Sequence, residues 1–231
     1  PINYNQPQES KTKMKDICSL PKRAVLFDLD GVLLDSRPNM ERAWQDVQSR
    51  LNITVDFKDY FKNIGRPFQD ILSILELQGQ TNEIEQIYNQ SSKENIHLAS
   101  LFPCVVESLQ KIESRGVKLG IVTSKSEERT KIILSQFPVK FLSIQTPNAY
   151  FRGKPAPDHL LAAIAELNVD PNDSLYVGDA EVDALAAFRA GIDYCHASWG
   201  YGETKLDHVT FLSEIKSLLV FLGIEESKAC L

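Results

Sequence analysis

Apolar and polar positions along this chain follow two rhythms. After Pro21, short β-branched runs alternate with amphipathic stretches of helical spacing. Ala24–Phe27, Lys118–Val122, Ser174–Val177 and Tyr194–Ala197 read as strands, with Phe141–Gln145 as a further candidate. Between them, helical spacing covers Val105–Ser114, Ser126–Gln136, Asp158–Leu167, Glu181–Ala190 and Phe211–Leu222. Gly116 and Gly191 end two of these helices, and Pro138 follows a third. Strands alternating with helices predict an α/β fold: a Rossmann-like parallel sheet covered on both faces.

Residues 37–100 break that alternation. Helical spacing covers Pro38–Leu51, Pro67–Leu77 and Asn82–Ser100, with no convincing strand. Phe68, Ile71, Leu72 and Leu75 share one helix face, Pro67 suits a first turn, and Asn82 with Glu85 suits a capping pair. This stretch is expected to be an all-helical domain inserted into an α/β core made of 21–36 and 101–231. Residues 1–20 are polar and lysine-rich and read as a flexible tail.

Composition narrows the class. A chain of 231 residues that is 43% hydrophobic can bury a substantial core. The net charge of −6, with both signs dispersed, offers no basic stripe for nucleic acid. Cys18, Cys104, Cys195 and Cys230 are scattered without a CxxC pair, which points to a reducing compartment rather than a disulfide framework. No apolar run matches a bilayer, and the first residues lack an apolar signal core, so cytoplasmic residence is expected and a membrane partner is not. The pattern specifies no oligomeric state.

The chemistry concentrates where predicted strands end. Ligands of open parallel sheets bind beyond the carboxyl ends of the strands, and Asp28, Thr123 and Asp179 each follow the last apolar residue of one. Asp28 and Asp30, two apart on a segment read as extended, point the same way and suit Mg²⁺, a hard cation that takes oxygen ligands. One carboxylate can attack phosphorus, and the other can move a proton. Gly31 allows a sharp turn and leaves an N–H for an anion. Thr123 and Ser124 offer hydroxyls and N–H groups to phosphate oxygens before a helix. Lys154, between Gly153 and Pro155 in a loop read as extended and stiff, can neutralise a transferring phosphoryl group. Asp179 is expected to cap a helix, with Asp183 on the same face. So many carboxylates would repel without a divalent ion, which makes Mg²⁺ part of the inference. Arg66 is a candidate for a substrate carboxylate, with a solvated loop arginine as the alternative, and Lys125 has similar standing. His97, His159, His196 and His208 show no spacing suited to a metal or a triad.

Four segments together resemble the haloacid dehalogenase superfamily of phosphohydrolases: Phe27-Asp28-Leu29-Asp30-Gly31, Ile121-Val122-Thr123-Ser124-Lys125, Gly153-Lys154-Pro155 and Val177-Gly178-Asp179 through Asp183. Phe102-Pro103 and Trp199-Gly200-Tyr201-Gly202 are similar to its phosphoglycolate phosphatase-like branch. The resemblance implies that Asp28 is a nucleophile and that Asp30 is a general acid and base whose carbonyl ligates Mg²⁺. Thr123 and Lys154 would bind phosphate, and Asp179 would ligate Mg²⁺. Asp183 would be an outer or water-mediated Mg²⁺ ligand that also orients Lys154, and the inserted helices would form a cap. Two positions depart from that branch: Ser124 stands where Asn is frequent and Cys104 where Gly is usual.

The expected function is a Mg²⁺-dependent phosphatase for a small phosphorylated metabolite, of phosphoglycolate or sugar-phosphate type, acting through a phospho-aspartyl intermediate. A β-phosphoglucomutase-like sugar phosphomutase would use the same residues. Dehalogenation is disfavoured, because Asp30 supplies a proton donor that a departing halide does not need. A receiver-type phosphoryl-accepting signalling module would also gather acids, a hydroxyl and a lysine at strand ends, but without the helical insertion. A binding protein with an inactive phosphatase fold is the remaining non-enzyme reading, and the full set of expected catalytic groups gives it no support.

Overall fold

The structure is a computed structural model and describes residues 21–225. The expected tail, Cys18 and Cys230 lie outside those residues. The central strand β1 (Ala24–Phe27) is wholly buried, because it is covered on both faces. Around it run β4 (Lys118–Val122), β5 (Phe141–Gln145), β6 (Ser174–Gly178), β7 (Asp193–Ala197) and β8 (Thr210–Leu212), in the order β5-β4-β1-β6-β7-β8. All five pairings are parallel. The helices α5 (Val105–Ser114), α6 (Glu127–Leu134), α7 (Asp158–Leu167), α8 (Glu181–Ala190) and α9 (Ile215–Phe221) cover this sheet. Two apolar clusters divide between its faces. One gathers Phe27, Leu109, Ile121 and Leu218, and the other Leu26, Leu160, Ile164 and Ala187. The α/β expectation therefore holds.

Between β2 (Leu34–Asp35) and β3 (Ser100–Leu101) lie the helices α1 (Arg37–Leu51), α2 (Phe57–Phe61), α3 (Phe68–Ile74) and α4 (Thr81–Glu94). They pack around a cluster of their own, in which Trp44 stacks on Tyr60 at 4.4 Å between ring centroids. The strands β2 and β3 pair antiparallel where the chain leaves and re-enters the sheet domain.

Several boundaries differ from expectation. Ser100–Leu101 is a strand rather than a helix end, because Leu101 faces Leu34 across this short ribbon. Helix α4 begins at Thr81, after a 3₁₀ turn, with Gln80 rather than Asn82 in the capping position. Helix α3 stops at Ile74, two residues before Glu76 takes a left-handed φ of 59°, and Pro67 precedes it as its cap. Helix α2 was not anticipated, and Thr210–Leu212 joins the sheet beside β7 instead of opening the last helix. Cys104 has φ 62°, a left-handed conformation that suits glycine and accounts for the usual Gly there. Cys104 and Cys195 are unbridged thiols. Among the described residues no helix is long and apolar enough to cross a membrane.

Candidate active site

The carboxyl ends of β1, β4 and β6 are adjacent in the sheet and bring Asp28, Thr123 and Asp179 together. Carboxylate oxygens of Asp28, Asp179 and Asp183 lie within 4.8 Å of one another, and all three residues are buried. Lys154 Nζ enters the group at 2.7 Å from Asp183 Oδ1 and 3.2 Å from Asp28 Oδ2. One ammonium against three carboxylates leaves excess negative charge among buried side chains. Burial, with repulsion from Asp183 and Asp30, raises the Asp28 carboxyl to about 7 despite Lys154. Burial, Asp183 and Asp28 push Asp179 well above the usual carboxylate range. Burial opposes the charge on Lys154, but Asp183 and Asp28 outweigh it and hold the ammonium above its ordinary value.

Each acid is fixed by its own partners. Asp28 Oδ1 accepts the Leu29 N–H at 2.8 Å. Asp179 Oδ2 accepts the Tyr201 N–H at 2.6 Å. Asp183 Oδ2 accepts the N–H of Ala180 at 3.0 Å and of Asp179 at 3.3 Å, while Oδ1 faces Lys154 and the Tyr176 phenol. The expected helix cap is thus displaced: Asp183, in the first turn, satisfies the helix-start N–H groups, and Asp179 is left to face the cluster.

The segment after Asp28 is a turn, not an extended strand, because Leu29 O collects the N–H groups of Val32, Leu33 and Leu34. Asp30 therefore diverges from Asp28. Its Oδ1 meets Lys125 Nζ at 3.1 Å and Ser36 Oγ at 2.5 Å, and its carboxylate stands outside the three-acid cluster. Gly31 does not leave its N–H open: it donates to Leu34 O at 2.9 Å. What the site requires of Gly31 is small size, since a Cβ there would sit 2.1 Å from Asp179 Oδ2. Ser124 Oγ is likewise engaged, donating to Gly65 O of the helical insertion at 2.8 Å. The Thr123 hydroxyl accepts the Lys125 N–H at 3.2 Å and keeps its own proton for a ligand. Around Lys154 the chain makes a tight turn rather than an extended loop, with Ala156 N–H on Gly153 O at 3.0 Å.

Two cavities meet here. A recess of about 50 Å³ under the insertion is lined by Asp30, Lys125, Arg66, Arg129, Tyr60 and Tyr88, and reaches Asp28 and Thr123. A wider one of about 530 Å³ reaches Thr123 and Lys154 from the other side, past Phe68, Phe151 and His159. The sequence gives no sign of Tyr176 or Arg129 as site residues, and it marks Tyr201 only within the Trp199–Gly202 resemblance, with no role attached. A tyrosine within an apolar strand reads as core, and only its hydroxyl hints at a polar neighbour.

A sequence profile described as haloacid dehalogenase-like hydrolase matches residues 25–197. The chain belongs to this family. It is 30% identical to a phosphoglycolate phosphatase of Aquifex aeolicus, over 78% of this chain and 86% of that one. It is 25% identical to the pyrophosphatase PpaX of Oceanobacillus iheyensis, over 87% of this chain and 97% of the relative. A crystal structure of a hydrolase from Pseudomonas syringae superposes with a TM-score of 0.76 at 25% identity, covering 88% of this chain and 98% of the other. The expected enzyme class, a phosphatase of this family, agrees with these likenesses.

Proposed function

We propose that this phosphatase hydrolyses a small phosphorylated metabolite in the presence of Mg²⁺, with Asp28 carrying the phosphoryl group between substrate and water. The observation that carries the reading is the meeting of Asp28, Asp179 and Asp183 with Lys154 beyond the ends of β1 and β6.

The donor set fits a hard divalent cation. Three buried carboxylates opposed by one ammonium are the charge and oxygen chemistry that Mg²⁺ takes. Asp28 and Asp179 would hold it, with the Asp30 carbonyl, and Asp183 would orient Lys154. When bound, the ion would offset negative charge on the phosphoryl oxygens.

In the first half-reaction the Asp28 carboxylate attacks phosphorus, and the bond to the leaving oxygen breaks as Asp30 gives that oxygen a proton. In the second, Asp30 takes a proton from water, whose oxygen attacks the phosphorus and releases phosphate and the free Asp28 carboxylate. Lys154 and Thr123 hold the phosphoryl oxygens throughout. The divergence of Asp30 from Asp28 supports two separate roles. Lys125 beside Asp30 orients the proton donor. We assign helices α1–α4 the part of a cap over the site, hinged at the β2–β3 ribbon. The residues serve a mutase equally well, and the two relatives favour hydrolysis.

Phosphate release from a panel of phosphorylated metabolites, with Mg²⁺ and with chelator, tests this. Turnover is expected only with the metal, and it should vanish in Asp28→Asn. Undiminished turnover in that variant would refute the proposal.

A further inference from the structure

Lys154 has a third buried partner, and it is not a carboxylate. Its Nζ donates to Asp183 Oδ1 at 2.7 Å and to the Tyr176 phenol oxygen at 3.2 Å, and it stands 3.2 Å from Asp28 Oδ2. An ammonium carries three N–H groups and can turn about its bond to the stem. Asp183 and Tyr176 engage two of them and stop that rotation. The third is left on the Asp28 side, which on the reading above is where the phosphoryl group lies.

Tyr176 is itself fixed. It belongs to β6, is wholly buried, and packs in the apolar cluster of Leu26 and Leu160. Its own proton is shared between Asp183 Oδ1 at 3.0 Å and Val122 O at 3.2 Å. Val122 ends β4 and immediately precedes Thr123, the other residue assigned to the phosphoryl oxygens. Burial, with the charges of Asp183 and Asp28, pushes the phenol well above its ordinary value, so it stays a neutral donor and acceptor. A phenylalanine would fill the same apolar space without a hydroxyl to satisfy. What the hydroxyl adds is a link between Lys154, Asp183 and the end of β4.

We propose that Tyr176 is a positioning residue: its phenol sets the rotation of the Lys154 ammonium so that one N–H faces the phosphoryl group during transfer. Tyr176 touches no substrate atom and acts through Lys154. This rests on the phosphatase reading and adds a residue to its machinery. An ammonium free to turn keeps its charge and still attracts phosphate. It loses a donor that is already aimed when the transition state forms, so the loss falls on kcat rather than on KM.

The test compares the parent with Tyr176→Phe, Tyr194→Phe, Lys154→Met and the double variant Tyr176→Phe/Lys154→Met, all with Mg²⁺. Each is assayed on the best ester of the panel and titrated with inorganic phosphate and with orthovanadate. Vanadate is five-coordinate when bound to a nucleophile and so imitates the phosphoryl group in transfer. Tyr176→Phe should lower kcat about 10- to 30-fold while KM and phosphate affinity stay within about threefold. Vanadate affinity should fall in step with kcat. The Tyr194 ring lies 6.2 Å from that of Tyr176, and its hydroxyl meets His196 Nδ1 rather than Lys154. Tyr194→Phe, the control for loss of a buried hydroxyl, should therefore keep kcat within about threefold. In the Lys154→Met background, adding Tyr176→Phe should change vanadate affinity by less than about twofold, because no ammonium remains to aim.

If Tyr176 only packs, Tyr176→Phe will match the parent, or will weaken phosphate and vanadate by one common factor, and either result overturns the proposal. So would an equal loss in Tyr194→Phe, or a loss that persists in the Lys154→Met background. Failure of the phosphatase reading looks different: the parent would hydrolyse no ester, or Asp28→Asn would hydrolyse all of them. The ratio of vanadate to phosphate affinity still reports on Tyr176 in that case.

Discussion

Tyr201 ties Asp179 to the point where the helical insertion leaves the sheet domain. Its backbone N–H donates to Asp179 Oδ2 at 2.6 Å, and its phenol oxygen accepts the N–H groups of Ser36 at 2.6 Å and Arg37 at 3.0 Å. The phenol donates to Asp35 Oδ1 at 2.8 Å, and the ring packs on Phe61 of the insertion. One residue therefore touches the acid cluster, the ribbon and the helices above it.

Tyr201→Phe keeps the ring and the N–H on Asp179 but strips the start of α1 of its acceptor. Orphaning the buried Ser36 N–H is expected to cost about 2 kcal/mol. For a domain of this size the melting temperature should fall by roughly 4–8 °C. The half-saturating Mg²⁺ concentration should move by less than about threefold, because the contact with Asp179 is main-chain. An unchanged melting temperature would show that water replaces the phenol.

Metal-free protein should lose stability as pH rises. The Asp28 carboxyl titrates at about 7 in the folded chain against an ordinary 3.8, and Asp179 is raised in the same direction. Between those values the folded state holds protons that the unfolded state has released, so unfolding is favoured progressively as pH climbs from about 4 to 7. His159 and His196 are lowered by burial and act in the opposite sense, losing stability as pH falls below their ordinary 6.5. The Mg²⁺-induced increase in melting temperature separates the two, since it reports the carboxylates. It should be several degrees larger at pH 8 than at pH 5, and equal shifts at both would contradict the charge argument.

Asp28→Asn removes one of three crowded charges and leaves Lys154 on Asp183 at 2.7 Å. Activity should fall by about four orders of magnitude or more, as expected for loss of a nucleophile. Chelated at pH 8, the variant should be about 1–3 kcal/mol more stable than the parent, because repulsion at the site is relieved. Denaturant unfolding of both proteins in chelator measures this directly.

Gly31 has φ 81°, and the Cβ of an alanine would collide with Asp179 Oδ2 at 2.1 Å. Gly31→Ala is expected to destabilise by about 1–3 kcal/mol and to push Asp179 aside. The Mg²⁺ requirement should rise about tenfold in a metal titration of activity. A variant with parental metal dependence would place the accommodation elsewhere, in Gly31 itself.

What sequence could and could not reveal here follows from range. Asp28, Thr123 and Asp179 were readable because a parallel strand announces itself by its apolar run, and its carboxyl end faces the ligand side. Asp30 was misdirected because the turn after Leu29 depends on three N–H groups converging on one carbonyl, which side-chain pattern does not encode. The β2–β3 ribbon pairs Leu34 with Leu101 across the whole insertion, and two-residue strands have no period to detect. Tyr176 and Tyr201 gain their significance only from partners brought near by folding: Lys154 in one case, Ser36 and Asp179 in the other.

Thr123 and Ser124 are adjacent hydroxyls with different commitments, and substitution should separate them. Thr123 has spent only an acceptor, on the Lys125 N–H, so its proton is available to a phosphate oxygen. Ser124 has spent its proton on Gly65 O, in the insertion. Thr123→Val should therefore weaken inhibition by inorganic phosphate about tenfold, the scale of one hydrogen bond to a charged acceptor. Ser124→Ala should leave phosphate inhibition within about twofold while lowering kcat/KM by a few fold, since it loosens the insertion by a bond worth about 1 kcal/mol. Product-inhibition constants for the two variants decide the matter. If Ser124→Ala weakens phosphate binding as much as Thr123→Val does, the Ser124 hydroxyl must leave Gly65 when ligand arrives, and the insertion must move with it.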